Sequence, residues 1–493
     1  MVEFMRATAQ TGHTTEPTEA DPYRYQTGFG NRFASEALPG VLPNGRNVPQ
    51  RVKYDLYSEQ LNGASAVAPR QLIQHVWMYR IRPSVAHGEI KAADVNQHIE
   101  ATFSATNSRV QYVASQEAWD PFPLPKPVDT TSKDKGVDFV QGIRTIGGQG
   151  DPTLREGIAI HVYLANTSME NRAFCNNDGD FMVLPQTGRL NIQTELGWLM
   201  VSPGELVVIQ AGIRFRVLLP DGPARGYIQE IFGTHYDLPE LGPVGSNGMA
   251  LPRDFESPVA SFDVDESAWR ITYKLAGSFH ICQQNHSPFD VVAWHGNLVP
   301  FKYDIEKFVN MANANKDQAD PTIYCVLTAK SKIPGISLTD FLVFTEKWIT
   351  ATDTFRPPYY HRNMSTEIMG LIYGTYGGSS HVLEPGGLSY EASYMPHGET
   401  YDLWKEMTNR ELKSDLICQG TMAFMFHLSV PVYLTQWAMK GEGAKYLHPA
   451  DSSQWDNVKA HFLDHLDQID AELKALKLPT LSNSGSGSKV TVQ

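Results

Sequence analysis

The sequence predicts a mostly β protein of two sandwich or barrel domains with an amphipathic helix near its C-terminal end. Three observations predict it. Short segments that alternate apolar and polar residues recur along most of the chain. Pro-Gly, Asp-Gly and Gly-Gly pairs punctuate them, which favours antiparallel hairpins over strand–helix–strand units. With 39 Gly, 31 Pro and 11% aromatic residues among 493, the composition is that of a turn-rich globular protein long enough for more than one core.

Taken in order, residues 1–22 read as a polar N-terminal tail. The segments HVWMYRIRP (75–83), IAIHVYLAN (158–166), FMVLPQ (181–186), LGWLMVSPGELVVIQAGIRFRVLLP (196–220) and GYIQEIFGTHY (226–236) are the expected strands of a first domain, 23–287. PFDVVAWHGNLVPFKYDIEKF (288–308) reads as the passage into a second domain, 288–478. Near its end Phe462, Leu466, Ile469, Leu473 and Leu476 repeat at helical spacing and predict a helix docked on the barrel. His461 and His465 lie one turn apart on it, where a solvated face explains them better than a metal pair. SNSGSGSKVTVQ, within 479–493, is the expected flexible tail.

Composition excludes several functions. Lys and Arg total 41 against 54 Asp and Glu, a net charge of −13 with no basic block, so nucleic acid and anionic membranes are poor partners. The start of the chain lacks the apolar stretch of a signal peptide. The longest apolar run, 422–434, is too short to span a bilayer. Cys175, Cys282, Cys325 and Cys418 show no paired spacing, which points to a reducing cytosol. The sequons at Asn166 and Asn363 carry no meaning there, and Gly147-Gly-Gln-Gly lacks the Lys and the setting of a phosphate loop.

The chemistry concentrates in YYHRNMSTEIMGLIYG (359–374) and EPGGLSYEASYMPHG (384–398). Glu367 follows His361 by an even step, so on one extended strand both would face the same side, and the second segment brings His397 back. Most histidines in a large protein are structural, and this one has sixteen. Two imidazoles and one carboxylate, however, form the facial set of non-haem iron(II) oxygenases, which leaves metal positions open for substrate and O2. His361-x5-Glu367-x6-Gly374 matches the first metal motif of the cupin barrel, with Asn363 where a second His is usual. Pro385-x-Gly387 resembles the turn of the second motif, its His displaced to His397. PGELVVIQAGIRFRVLL resembles a second motif without ligands, Ile213 and Arg214 standing in the region of the His. The expectation is two cupin-like jelly rolls, metal-free in the N-terminal half and metal-binding in the C-terminal half.

Longer runs sharpen this. TFRPPYYHRNMSTEIMGLIYG (354–374) resembles the iron-binding stretch of the homogentisate 1,2-dioxygenase family. So do YQTGFGNRFASEALPGVLPNGRNVPQ (25–50), YSEQLNGASAVAPR (57–70), NNDGDFMVLPQTG (176–188) and GTHYDLPELGPVGSNGMALPRDF (233–255), in the same order. The resemblance covers about residues 23 to 450. It implies Fe(2+) held by His361, Glu367 and His397, and an aromatic hydroquinone substrate with an acetate side chain. Homogentisate and O2 would give maleylacetoacetate, a step of tyrosine and phenylalanine breakdown. It also implies a cytoplasmic homo-oligomer, a hexamer built as a dimer of trimers, and a substrate hydrogen bond from Tyr376. The alternative for Tyr376 is a packed barrel aromatic with its hydroxyl satisfied elsewhere.

Two positions depart from the family pattern. Gln318 stands before ADPTIYCVLTAKS, where the family carries an acid/base His, and an amide cannot accept a proton at neutral pH. Glu391 aligns with another pocket His, and an ionised carboxylate there would repel an acetate group. Three readings follow: a working homogentisate dioxygenase, a paralogue that cleaves a related hydroquinone, or a catalytically silent cupin-fold binding protein. The intact triad disfavours the last.

Overall fold

The structure, a computed structural model, describes residues 15–43, 50–128, 136–240, 249–310, 324–349, 359–376, 383–411, 413–448 and 453–482. Its centre is a 10-stranded sheet that includes Glu156–Ala165, Gly179–Thr187, Glu205–Ile209 and Ala224–Phe232. These strands are buried at nearly every position because both of their faces are covered. Met182, Leu184, Leu206, Val208 and Tyr227 point one way, into a core shared with Phe341, Ile368, Phe424 and Phe426. Their neighbours Phe181, Val183, Val207, Ile209 and Ile228 point the other way, into a core with Leu190, Ile192, Phe215 and Val217. Each such side chain, fully buried, contributes roughly 1.5–3 kcal/mol.

The second of these cores belongs to a 7-stranded sheet of the N-terminal half. There Ile213 is core, and the buried Arg214 guanidinium donates to Tyr273 Oη at 2.9 Å. The first belongs to another 7-stranded sheet, in the order Tyr236–Asp237, Cys325–Lys330, Ser337–Phe344, Met422–Leu428, Thr366–Tyr373, Leu388–Glu391, Glu117–Trp119. Gly370 lets this sheet close on the core, since a Cβ there would lie 2.3 Å from the Phe424 ring.

The passage read at 288–308 forms two strands, Val291–Gly296 and Phe301–Asp304, and both pair with strands of the N-terminal half. Residues 15–22 of the expected tail are tied down: the Asp21 carboxylate accepts from the buried Lys302 ammonium at 2.7 Å. The C-terminal helix forms over Leu466–Ala475, but its docking differs from the expectation. Leu466, Ile469 and Leu473 are only partly covered, and Phe462 and Leu476 are exposed. The turn His461–His465 is a 3-10 helix, whose tighter winding carries Phe462 off the stripe.

Candidate metal centre

Glu367 is placed by the strand Thr366–Tyr373, where it shares a face with Met369 and Leu371. His361 is not on that strand, which corrects the even-step expectation. Asn363 turns the chain in between, its side-chain oxygen accepting from Ser365 N at 3.0 Å. His361 reaches the site through an isolated bridge to His397 instead, with reciprocal backbone hydrogen bonds of 2.9 and 3.1 Å. Two further bonds lace the same loops: Ser393 Oγ donates to Met364 O (2.6 Å) and Tyr394 N to Asn363 O (2.7 Å).

The three side chains converge. One potential ligand atom from each of His361, Glu367 and His397 lies within 4.8 Å of the others, and this is the metal-ligating cluster found among the described residues. His361 Nε2 is 3.6 Å from one Glu367 oxygen, and His397 Nε2 is 3.3 Å from the other. His397 Nδ1 donates to Met395 O at 2.9 Å, a tautomer that leaves the Nε2 lone pair facing the carboxylate. That Nε2 is buried without a hydrogen bond. A nitrogen and a carboxylate held this close call for a cation between them, a proton in the metal-free protein or a metal ion in its place. Asn363 Nδ2 donates to Glu367 Oε1 at 2.7 Å and fixes the carboxylate's orientation. The residue that looked like a missing ligand is therefore an orienting one.

The titration behaviour agrees with a site built for positive charge. Burial works against ionised Glu367, yet the two facing imidazoles and the hydrogen bond from Asn363 hold its pKa far below the usual carboxylate range. Burial likewise disfavours charged His397, but the Glu367 carboxylate overrides it and pushes the pKa up to about 9. A two-nitrogen, one-oxygen donor set with this polarity fits one divalent transition metal.

Register places the neighbours. Asp340, His427, Glu367 and Glu391 are successive cross-strand partners, so they form one polar row on the face that carries the triad. Glu391 is buried, and one of its oxygens has no hydrogen bond. Burial first, and then Glu367 opposite, push its pKa up to about 8 despite His397. In the metal-free protein its surroundings therefore favour the neutral carboxyl. Beyond the row the face turns apolar, through Leu342, Met369, Leu371 and Met425 to Phe344 and Tyr376. Burial, and then Glu399 and other neighbours, hold the Tyr376 hydroxyl proton well above its usual range, so this group is a donor. Gln318 lies outside the described residues. His427 and Asp340 went unnoticed in the sequence, because only strand register brings them beside Glu367.

The three residues converge at one face of an antiparallel sheet, His361 31% exposed and its two companions buried, as a candidate mononuclear metal site. Two family models cover the chain: Homogentisate 1,2-dioxygenase N-terminal over residues 24–305 and Homogentisate 1,2-dioxygenase C-terminal over 306–462. The chain belongs to the homogentisate 1,2-dioxygenase family. It is 44% identical to the homogentisate 1,2-dioxygenase of Arabidopsis thaliana over 449 residues, 90% of this chain and 94% of that one. The Caenorhabditis elegans enzyme is also 44% identical (90% and 99% covered), and the Homo sapiens enzyme 42% (89% and 97%). Among solved structures, the cupin 2 conserved barrel domain protein from Leptotrichia buccalis has a TM-score of 0.25 at 9% identity, covering 64% of this chain and 99% of that one. Quercetin 2,3-dioxygenase from Acinetobacter baumannii has a TM-score of 0.22 at 8% identity, covering 58% and 79%. At those scores nothing about the site follows.

Proposed function

We propose that this chain is an iron(II)-dependent dioxygenase that opens the ring of homogentisate with O2 to give maleylacetoacetate, both oxygen atoms entering the product. The observation that carries it is the convergence of His361, Glu367 and His397 in a chain of this family. Bound at these ligands, ferrous iron supplies the one-electron chemistry with O2 that no side chain offers.

The chain's own residues do the rest. The Met395 carbonyl keeps His397 in the ligating tautomer, and Asn363 keeps Glu367 turned toward both imidazoles. The apolar face of Met369, Leu371 and Met425 gives a flat aromatic ring a dry wall. Tyr376 offers a hydroxyl donor to a substrate oxygen. At the position where the family pattern has its acid/base His, Gln318 could hydrogen-bond a phenol but not take its proton. Burial of Glu391, which favours its neutral form, lessens the electrostatic objection to an acetate group. It is also the observation that keeps a related hydroquinone in view, since its carboxyl replaces an imidazole of the family pattern.

Free thiols at Cys175, Cys282, Cys325 and Cys418 support a reducing cytosol. Among the described residues no helix is long and apolar enough to cross a membrane. A hexamer of two trimers is the assembly the family resemblance supports. The test is O2 uptake by the iron-loaded protein over a panel of hydroquinones. Homogentisate should be consumed fastest; a better rate with a hydroquinone lacking the carboxylate favours the paralogue, and no uptake with any favours a silent binding protein.

A further inference from the structure

Buried cations in this protein come with carboxylates. Arg80 meets Glu59, Glu195 and Asp290 at 2.8–2.9 Å, Lys274 meets Asp178 and Glu230 at 2.7 Å, and Lys302 meets Asp21 and Glu205 at 2.7 and 2.9 Å. Arg214 lies in the field of Glu195. Lys347 is the exception. It is 8% exposed, and among the described residues its ammonium has no ion pair. Its one hydrogen bond there goes to Tyr324 Oη at 2.6 Å, and it sits 4.0 Å from the centroid of that ring. An ammonium has three donors, and burying one without a counter-charge is costly. Burial accordingly draws its pKa down to about 8.

Its position gives the cost a purpose. Lys347 sits on a two-stranded ribbon, Lys347–Ile349 paired with Asp415–Ile417, rather than in the barrel sheets. Tyr324 packs on Phe344 with ring centroids 4.9 Å apart, and Phe344 on Tyr376 at 5.8 Å. All three aromatics lie against the Met369–Leu371 face that also carries Glu367. An aromatic wall therefore runs from the candidate metal centre to an ammonium that has no ion pair among the described residues. Cys418 lies in the field of Lys347, Glu399 in that of Cys418, and Tyr359 in that of Tyr324. Among the described residues neither Cys418 nor Glu399 forms an ion pair with Lys347, whose ammonium donates to Tyr324 instead.

We propose that Lys347 is an anion subsite that receives the side-chain carboxylate of the substrate, with Tyr324, Phe344 and Tyr376 as the wall along which the ring lies. The proposal deepens the dioxygenase reading and rests on it for the identity of the substrate. An ammonium that exchanges an unpaired state for a carboxylate contributes a charge-assisted hydrogen bond, worth roughly tenfold to a hundredfold in affinity.

The test is calorimetric titration of the full chain with phenylacetate and with neutral 2-phenylethanol, which reads binding without turnover. Lys347→Met should weaken phenylacetate at least about tenfold and leave 2-phenylethanol unchanged, while Lys347→Arg should retain most of the affinity. Lys347→Gln, which keeps a donor for Tyr324, covers the case in which Met does not fold. The proposal is overturned by equal phenylacetate affinity in parent and Gln variant, by parallel loss of both probes, or by a parent that binds no phenylacetate. Lys347-dependent phenylacetate binding by a protein that consumes no hydroquinone would instead support the subsite and sink the dioxygenase reading.

Discussion

His361 and His397 exchange backbone hydrogen bonds in both directions, at 2.9 and 3.1 Å, and their rings meet edge to face with centroids 4.2 Å apart. Two loops that share no strand are thus joined at the residues whose imidazoles face Glu367. The bridge fixes the separation of two ligands before any metal arrives, which is the preorganisation a weakly held divalent ion needs.

Removing the carboxylate should empty the site. Glu367→Ala leaves two neutral nitrogens, and iron content after dialysis should fall to a small fraction of the parent's with the β-sheet circular dichroism unchanged. Iron content equal to the parent's would remove this triad from consideration.

Asn363 donates to the Glu367 oxygen that also faces His361. Asn363→Ala should lower metal affinity by roughly 10–100-fold without abolishing binding, the usual size of an outer-partner effect. Competition with a chelator measures it. An unchanged affinity means the 2.7 Å bond to Glu367 orients nothing that matters.

The metal-free protein should carry a pH signature of His397. Its pKa rises from 6.5 unfolded to about 9 folded, so the native state holds the extra proton between those values. The stabilisation is complete below pH 6.5 and is lost as pH rises through 9. His235, held by Asp180, is also raised to about 9 and adds a background in the same window. The difference between melting curves of parent and His397→Gln isolates the site: it should shrink from pH 7 to pH 10. A difference that stays flat over that range contradicts the assignment.

Gln318 carries a prediction from the family pattern. Gln318→His should raise turnover of homogentisate, since general acid–base help is worth roughly 10²–10⁴-fold. If Gln318 and Glu391 together set a different substrate, restoring the His alone changes little, and the parent prefers a hydroquinone without the carboxylate. A parent that already matches a His-containing relative shows that neither departure matters.

Much of this site was legible in the sequence, because its ligands come with local spacing and long family-like runs. The β class was legible too, since Gly179–Thr187 and Glu205–Ile209 are apolar on both faces. The sharing of one central sheet was not, because pairing such as Val208 with Phe301 joins positions far apart in the chain. The even step from His361 to Glu367 misled for a local reason: Asn363 breaks the strand with its own side chain. The polar row of Asp340, His427, Glu367 and Glu391 exists only through register, and the unpaired burial of Lys347 only through packing.

The central claim is ring opening by O2 at the His361, Glu367 and His397 site. The measurement that tests it most directly is mass spectrometry of the product formed from homogentisate under ¹⁸O₂ by the iron(II)-loaded protein, with Glu367→Ala in parallel. A ring-opened product with both new oxygens labelled is expected from the parent, and none from the variant. A product with one labelled oxygen or none, or an equal yield from Glu367→Ala, would contradict it.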